Sequence, residues 1–200
     1  MPPAARVGDP TGHPGVIGPP GVPTVLIAGM PAATHAAKRI LVMVGSLHPA
    51  NEAQIAALQQ AGVPLLPLAM SDGSAEEATA AAALEQAFAA HCVVGVVSPR
   101  LASSDPAEPQ ALAMRAGRLA RRGAAWFDGL VVTGGDTARR VVDALDALRI
   151  DLQGEVEPGV PFGTLRLPGR AMPFSTKAGG FGSADTLLRC IERLRAPHSR

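Results

Sequence analysis

The sequence predicts an α/β fold: a three-layer sandwich with a mostly parallel central sheet and a Pro/Gly-rich amino-terminal arm. Short unbroken apolar runs such as "ILVMV", "CVVGVV" and "GLVV" alternate with stretches of helical length. Unbroken apolar runs are typical of strands covered on both faces, as parallel sheets require. The chain has 200 residues and 47% hydrophobic content, which suits one domain with a sizeable core.

The amino-terminal segment, residues 1–39, differs from the rest in composition and is predicted to be a linker or arm. Its run "GHPGVIGPPGVPTVLIAGMP" interrupts every potential helix with Pro or Gly. We predict at most one short strand there, over residues 24–28. The apolar piece "VPTVLIAGM" is too short to span a bilayer and lacks the basic start of a secretory signal. Residues 40–200 are predicted to form the α/β domain.

Strands and helices alternate regularly from Ile40 onward. "RILVMVG" predicts a strand, and "NEAQIAALQQAG" predicts a helix that is capped by Asn51, with Gln54 three residues on, and closed by Gly62. "VPLLPL" and "CVVGVV" predict strands on either side of the Ala-rich helix "AEEATAAAALEQAFAAH". "AEPQALAMRAGRLARRG" predicts the next helix.

The segment "DGLVVTGGDTARRVVDAL" predicts a strand, a tight glycine turn and an amphipathic helix. After Leu148 the pattern changes to Gly, Pro and short apolar pieces, which predict irregular strands or a hairpin. A last helix is expected from Ala184 to Arg195. Ligands of such folds bind at the carboxyl ends of the strands.

The net charge, the cysteines and the histidines limit the kinds of partner, cellular compartment and metal site that the sequence indicates. A net charge of +1 gives no electrostatic case for nucleic acid or an anionic membrane as a partner. Cys92 and Cys190 each lie among apolar neighbours, so we interpret both as buried thiols of a reduced compartment, the cytoplasm. The five histidines are scattered without metal-ligand spacing, so no protein-built metal site is indicated.

Three glycine-bearing turns are expected at or near strand ends. They are Gly45–Ser46, "TGGDT" at 133–137 and "TKAGGFG" at 176–182. Glycines leave backbone amides uncovered, and the first amides of a helix attract anions. In a parallel sheet the first two turns would face the same edge, so their amides and hydroxyls could converge on one polyanion. The alternative is that the glycines only serve the turns and that Asp136 and Thr137 cap the helix. Asp136 could cap the helix or act as one ligand of a nucleotide-bound Mg²⁺, and we favour the cap.

Lys177 strengthens the anion-binding interpretation. The chain has two lysines against sixteen arginines, and the other, Lys38, falls in the arm. A compact ammonium beside "AGGFG" suits contact with phosphate as a point charge. The alternative is an ordinary solvated surface lysine.

Four strings also resemble a known family in their order and approximate spacing. "RILVMVGSLHPANEAQI", "GLVVTGGDTARRVV", "GEVEPGVPFGTL" and "STKAGGFGSADTLLRCIERLR" are similar to the nucleotide-binding half of the four-carbon acid sugar kinases, the DUF1537 type. The resemblance covers residues 39–195. It implies phosphorylation of acids such as threonate or erythronate with ATP, which carries Mg²⁺. The resemblance implies that the nucleotide-facing loops contain Ser46, Gly134, Gly135, Asp136, Thr137, Gly179, Gly180 and Gly182, with Glu157, Pro158 and Gly159 in a nearby turn. Gly45 and Lys177, identified above from the turns themselves, complete the predicted nucleotide-binding residues.

Two departures from the family pattern matter. His48 and Asn51 stand where the family usually has a small or hydroxyl residue and a Thr, which weakens the expected phosphate contacts. Nothing before Ile40 resembles the sugar-acid-binding domain with its Asp-Asp-x-Thr-Gly type motif. The catalytic residues are therefore unknown, and so is the acceptor acid.

Three functions stay open. The chain is a kinase component that works with a separately encoded or lost substrate domain, a non-catalytic nucleotide-binding module, or an α/β module for another phosphorylated ligand. We favour the first, in which the isolated chain is inactive. A homo-oligomer is compatible with all three.

Overall fold

The computed structural model describes residues 25–26, 35–45, 48–69, 73–100 and 107–196. The predictions for Ser46 and for most of the arm lie outside these residues. The strands are β1 (Val25–Leu26), β2 (Ile40–Val44), β3 (Leu65–Pro67), β4 (Val93–Val97), β5 (Gly129–Thr133), β6 (Arg149–Glu157), β7 (Val160–Leu167) and β8 (Arg170–Lys177). The helices are α1 (Ala50–Gln60), α2 (Ser74–Ala90), α3 (Ala107–Arg122), α4 (Gly135–Ala144) and α5 (Thr186–Arg195).

The strands form one sheet in the order β1-β6-β7-β8-β5-β2-β4-β3. Strands β8, β5, β2, β4 and β3 run parallel to one another, and β1 is parallel to β6. Only the pairs β6–β7 and β7–β8 are antiparallel within the described residues. The predicted mostly parallel α/β sheet is confirmed, and the short predicted strand in the arm appears as β1.

Helices cover both faces of the sheet. Alternate residues of β2 enter two separate apolar clusters: Leu41 and Met43 pack with residues of α2, α3 and α4, whereas Ile40, Val42 and Val44 pack with residues of α1 and α5. All five side chains are essentially buried. Side chains of a strand alternate between the two faces, so this division places one helical layer on each side. None of the described helices has the length and apolar character needed to cross a membrane.

The region after Leu148 is more regular than its composition predicts. Strands β6, β7 and β8 form two consecutive hairpins, which confirms the hairpin alternative, and the β6–β7 pair also carries register shifts. Pro161 and Pro173 lie inside β7 and β8, where proline is normally unfavourable because it donates no hydrogen bond. Pro161 pairs with Glu155, and register shifts lie on both sides of the segment Gly154–Glu155 of β6.

Two helix starts differ from their predictions. Helix α1 begins at Ala50 with Pro49 in the N-cap position, so Asn51 lies inside the helix and is not its cap. Asn51 is instead 2% exposed and faces the sheet. Helix α5 begins at Thr186, two residues after the predicted start.

The two cysteines have different environments. Cys190 is buried in α5, as predicted, but Cys92 is exposed, so that part of the prediction is wrong. Cys92 directly precedes β4 and lies in the connection from α2, before the strand enters the core. Burial raises the pKa of the Cys190 thiol to about 11, which keeps it neutral at ordinary pH.

We expect the two thiols to react at very different rates. In native protein at about pH 8, a thiol-specific reagent should modify Cys92 quickly and Cys190 only after denaturation, because the thiolate is the reactive form. Mass spectrometry of the modified peptides measures this. Rapid modification of Cys190 in the native state would contradict its burial in α5.

Candidate functional site

The carboxyl ends of β2, β5 and β8 lie side by side at one edge of the sheet. The Gly45 amide donates to the Thr133 carbonyl over 3.2 Å, and the Gly134 amide donates to the Lys177 carbonyl over 3.0 Å. Three glycine-bearing connections therefore leave the sheet next to one another. The predicted convergence of the turns after β2 and β5 is confirmed for their described residues, and the structure adds the loop after β8 to the same edge.

The start of α4 is open on its outer side. Gly134 is the N-cap residue with φ 91° and ψ 127°, a conformation that favours glycine. A Cβ atom added to Gly135, the first residue of the helix, would meet nothing within 4 Å. The first amides of α4 have no partners inside the helix, so this open space is suited to an anionic group.

Neither Asp136 nor Thr137 occupies the N-cap position of α4 that was considered for them. Gly134 occupies the N-cap position of α4 and the exposed Asp136 lies in the first turn of the helix, so the interpretation of Asp136 as the cap is wrong. Thr137 is 5% exposed, and its hydroxyl occupies the space where a Cβ of residue 45 would be. Gly45 is thus required by the close approach of β2 and α4, whatever binds there.

Lys177 is buried rather than solvated, at 3% exposure. Its ammonium donates to Asn51 Oδ1 over 3.0 Å, to the Ala178 carbonyl over 3.2 Å and to the Gly179 carbonyl over 3.1 Å. Burial lowers the pKa of the ammonium from its usual value, and the nearby Cys190 and Glu157 oppose that shift. The alternative of a surface lysine is wrong, whereas direct contact with phosphate stays a prediction.

Gln54 was not predicted to belong to the site. It is fully buried on α1, and its Nε2 donates to the carbonyls of Phe181 over 3.2 Å and Ser183 over 3.0 Å. The sequence carried a signal, because Asn51 and Gln54 are polar residues one helical turn apart, but we interpreted that spacing as a capping box.

The turn between β6 and β7 lies at the same edge, because both β6 and β8 run antiparallel to β7. Glu157 accepts hydrogen bonds from the Ser183 amide over 3.3 Å and from the Thr186 hydroxyl, and it pairs with Arg189 over 3.0 Å. The Phe181 ring lies against Gly159 and leaves no room there for a Cβ. Glu157 and Gly159 therefore contact the end of the glycine loop, and Pro158 lies between them in the turn.

The connection after β2 also reaches this loop. A Cβ built on Gly180 would lie 3.2 Å from His48 Nε2, so the two connections are in contact. His48 Nδ1 accepts a hydrogen bond from the Ala50 amide over 3.2 Å, which indicates a proton on Nε2 when the ring is neutral. Gly180 and Gly182 are exposed.

The described residues contain no group of three or more His, Cys, Asp or Glu side chains that could hold a metal ion.

Comparison with known proteins identifies the family to which this chain is similar. The family model described as "Nucleotide-binding C-terminal domain" matches residues 41–187. A D-threonate kinase of Bordetella bronchiseptica is 42% identical over 178 residues, covering 82% of this chain and 42% of the relative. A 3-oxo-tetronate kinase of Cupriavidus necator is 33% identical over 172 residues, covering 77% of this chain and 38% of the relative.

A solved structure shows the same fold. The crystal structure of a domain of unknown function (DUF1537) from Bordetella bronchiseptica, a domain-swapped dimer with bound citrate, superimposes with a TM-score of 0.71 at 37% identity. It covers 83% of this chain and 43% of that chain. The chain thus spans less than half the length of the relatives it matches. The family model covers most of the described residues, and the chain belongs to the nucleotide-binding C-terminal domain family of the four-carbon acid sugar kinases.

Proposed function

We propose that this chain is the ATP-binding domain of a four-carbon acid sugar kinase of the threonate or erythronate type. The observation that carries the proposal is the open start of α4 at Gly135, which lies beside the glycine loop that follows β8. The match to a nucleotide-binding family indicates that the anion bound there belongs to a nucleotide. The D-threonate and 3-oxo-tetronate kinases among its relatives supply the substrate class.

In this proposal the phosphates of the nucleotide lie along the carboxyl edge of β2, β5 and β8. The amides of Gly135 and Asp136 would bind phosphate oxygens at the positive end of α4. Gly45 and Thr137 would line one side, and the loop residues Gly179, Gly180 and Gly182 would line the other. Open glycine backbone fits a phosphate chain, because no side chain stands between the amides and the ligand.

ATP bound with Mg²⁺ supplies the phosphoryl group, and transfer depends mainly on positioning and charge neutralisation. The residues described here can bind and orient the donor. An acceptor site and a group that orients the acceptor hydroxyl are also needed, and we propose that a sugar-acid-binding domain provides both. That domain is either encoded separately or belongs to a longer protein.

Calorimetric titration of the purified chain with MgADP and MgATP tests this proposal. We expect saturable binding of both nucleotides, weakened when Mg²⁺ is removed by a chelator, because the ion neutralises the phosphates. Inorganic phosphate at the same concentrations is the control for a site that accepts any anion. No heat of binding with either nucleotide would contradict the proposal, and binding of phosphate alone would favour a module for another phosphorylated ligand.

A further inference from the structure

We propose that Lys177 and Gln54 are positioning residues: they bind the carbonyl groups of the glycine loop, residues 178–183, from the protein interior and so orient its amides towards the nucleotide. This inference rests on the proposed function and gives it a mechanism of preorganisation. It assigns Lys177 an indirect role, through the loop, instead of direct contact with phosphate.

The loop is bound to the interior through its carbonyl groups. Lys177 Nζ holds the Ala178 and Gly179 carbonyls at 3.2 and 3.1 Å. Gln54 Nε2 holds the Phe181 and Ser183 carbonyls at 3.2 and 3.0 Å. Four of the six carbonyls in this segment therefore accept hydrogen bonds from two buried side chains.

Peptide geometry converts these bonds into an orientation for the amides. In a planar trans peptide the carbonyl of one residue and the amide of the next point in opposite directions. Inward carbonyls at Ala178, Gly179 and Phe181 thus turn the amides of Gly179, Gly180 and Gly182 outward. Gly180 and Gly182 are exposed, and the loop leaves β8 beside the start of α4, where the Gly134 amide donates to the Lys177 carbonyl. Amides turned outward at these positions would therefore be open to a ligand at that edge. An array of outward amides in a glycine loop is a known form of anion-binding concavity.

The chemistry of Lys177 favours this role over direct phosphate contact. An ammonium has three donors, and here all three are used by Asn51 Oδ1 and the two loop carbonyls. Contact with phosphate would require one of these buried bonds to break. Asn51 also links the ammonium to α1, the same helix that carries Gln54, so one helix face anchors the whole loop.

Paired substitutions test the proposal. Lys177→Met and Gln54→Leu each remove donors to the loop and keep an apolar chain of similar size. Ser175→Ala is the matched control, because Ser175 is buried on the same strand as Lys177 but its hydroxyl donates to the Pro161 carbonyl, away from the loop. Two quantities are measured: ¹⁵N order parameters of Gly179, Gly180 and Gly182 without nucleotide, and the dissociation constant of MgADP by calorimetry.

We expect both Lys177→Met and Gln54→Leu to lower the loop order parameters and to weaken MgADP about 10-fold, because the bound nucleotide must then order the loop. Ser175→Ala should lose thermal stability but keep wild-type loop order and affinity. If Lys177→Met does not fold, Gln54→Leu decides alone, since it breaks two loop hydrogen bonds and leaves the ammonium in place.

Unchanged loop order in the variants would overturn the proposal, and so would wild-type affinity in a variant whose loop has become mobile. Weaker binding in Lys177→Met with unchanged loop order and wild-type affinity in Gln54→Leu would instead assign Lys177 to direct phosphate contact. If the wild-type chain does not bind MgADP, the proposed function is wrong, and so is the claim that the loop amides are oriented towards a nucleotide. The order parameters would still decide whether the two side chains hold the loop.

Discussion

The purified chain is expected to bind MgATP and yet to leave D-threonate and erythronate unphosphorylated above background. Proximity and orientation of the reactants contribute roughly 7 to 11 kcal/mol to barrier reduction, so a chain without an acceptor site should lose nearly all of the rate. The described residues that converge at the sheet edge are suited to the donor, and the chain spans 42% of the length of the D-threonate kinase it resembles.

Mass spectrometry of the acid after prolonged incubation with MgATP measures this, with the release of ADP followed in parallel. The informative control adds a separately produced sugar-acid-binding domain of a relative, which should restore phosphorylation if the two parts can assemble. Robust phosphorylation by this chain alone would show that it supplies an acceptor pocket, either from its own arm or from a second copy.

Gly135→Ala should separate nucleotide binding from folding. The added methyl group meets no protein atom within 4 Å, and alanine is the better helix former, so the free energy of unfolding should stay the same or rise by up to about 1 kcal/mol. The same methyl group would partly cover the amides at the start of α4. Loss of one charge-assisted hydrogen bond costs about 1.5 to 3 kcal/mol, equivalent to a roughly 10- to 150-fold weaker MgADP complex.

Chemical denaturation and calorimetry of the same samples test this prediction, and Gly135→Val should give the larger loss of affinity. Gly134→Ala is the contrasting variant. With φ 91° at the N-cap, Gly134→Ala should destabilise the fold by about 1 to 3 kcal/mol. A folded Gly135→Val protein with wild-type affinity would remove the start of α4 from the site.

The features that were predictable from the sequence depend on local pattern. The segment from Gly129 to Ala144 shows this, since its apolar run, glycine pair and helical spacing predicted strand, turn and helix where β5 and α4 are found. The convergence of the turns was also predictable, because the carboxyl ends of adjacent parallel strands meet at one edge of the sheet. Within this turn the unusual backbone conformation belongs to Gly134 and not to Gly135, a distinction that the paired glycines in the sequence do not make.

The features that sequence reasoning missed depend on contacts between distant residues. Asn51 and Gln54 looked like a local capping box, yet their partners lie about 130 residues away, at Lys177 and in the glycine loop. A solvated Lys177 was the alternative because most lysines are solvated, and neither interpretation included its burial, which follows from oxygen atoms that surround it only in the folded chain. Cys92 looked buried because its neighbours in sequence are apolar, but the strand enters the core only at Val93.

The central claim, that a nucleotide binds at the carboxyl edge of β2, β5 and β8, is tested most directly by an NMR titration of ¹⁵N-labelled chain with MgADP. We predict that the largest amide shift changes fall on Gly135, Asp136, Gly179 and Gly180. Gly169, in the β7–β8 turn at the opposite edge of the sheet, should not change. Changes centred away from those amides, for example on the cleft lined by Arg139, Ile150 and Thr176, would contradict the account.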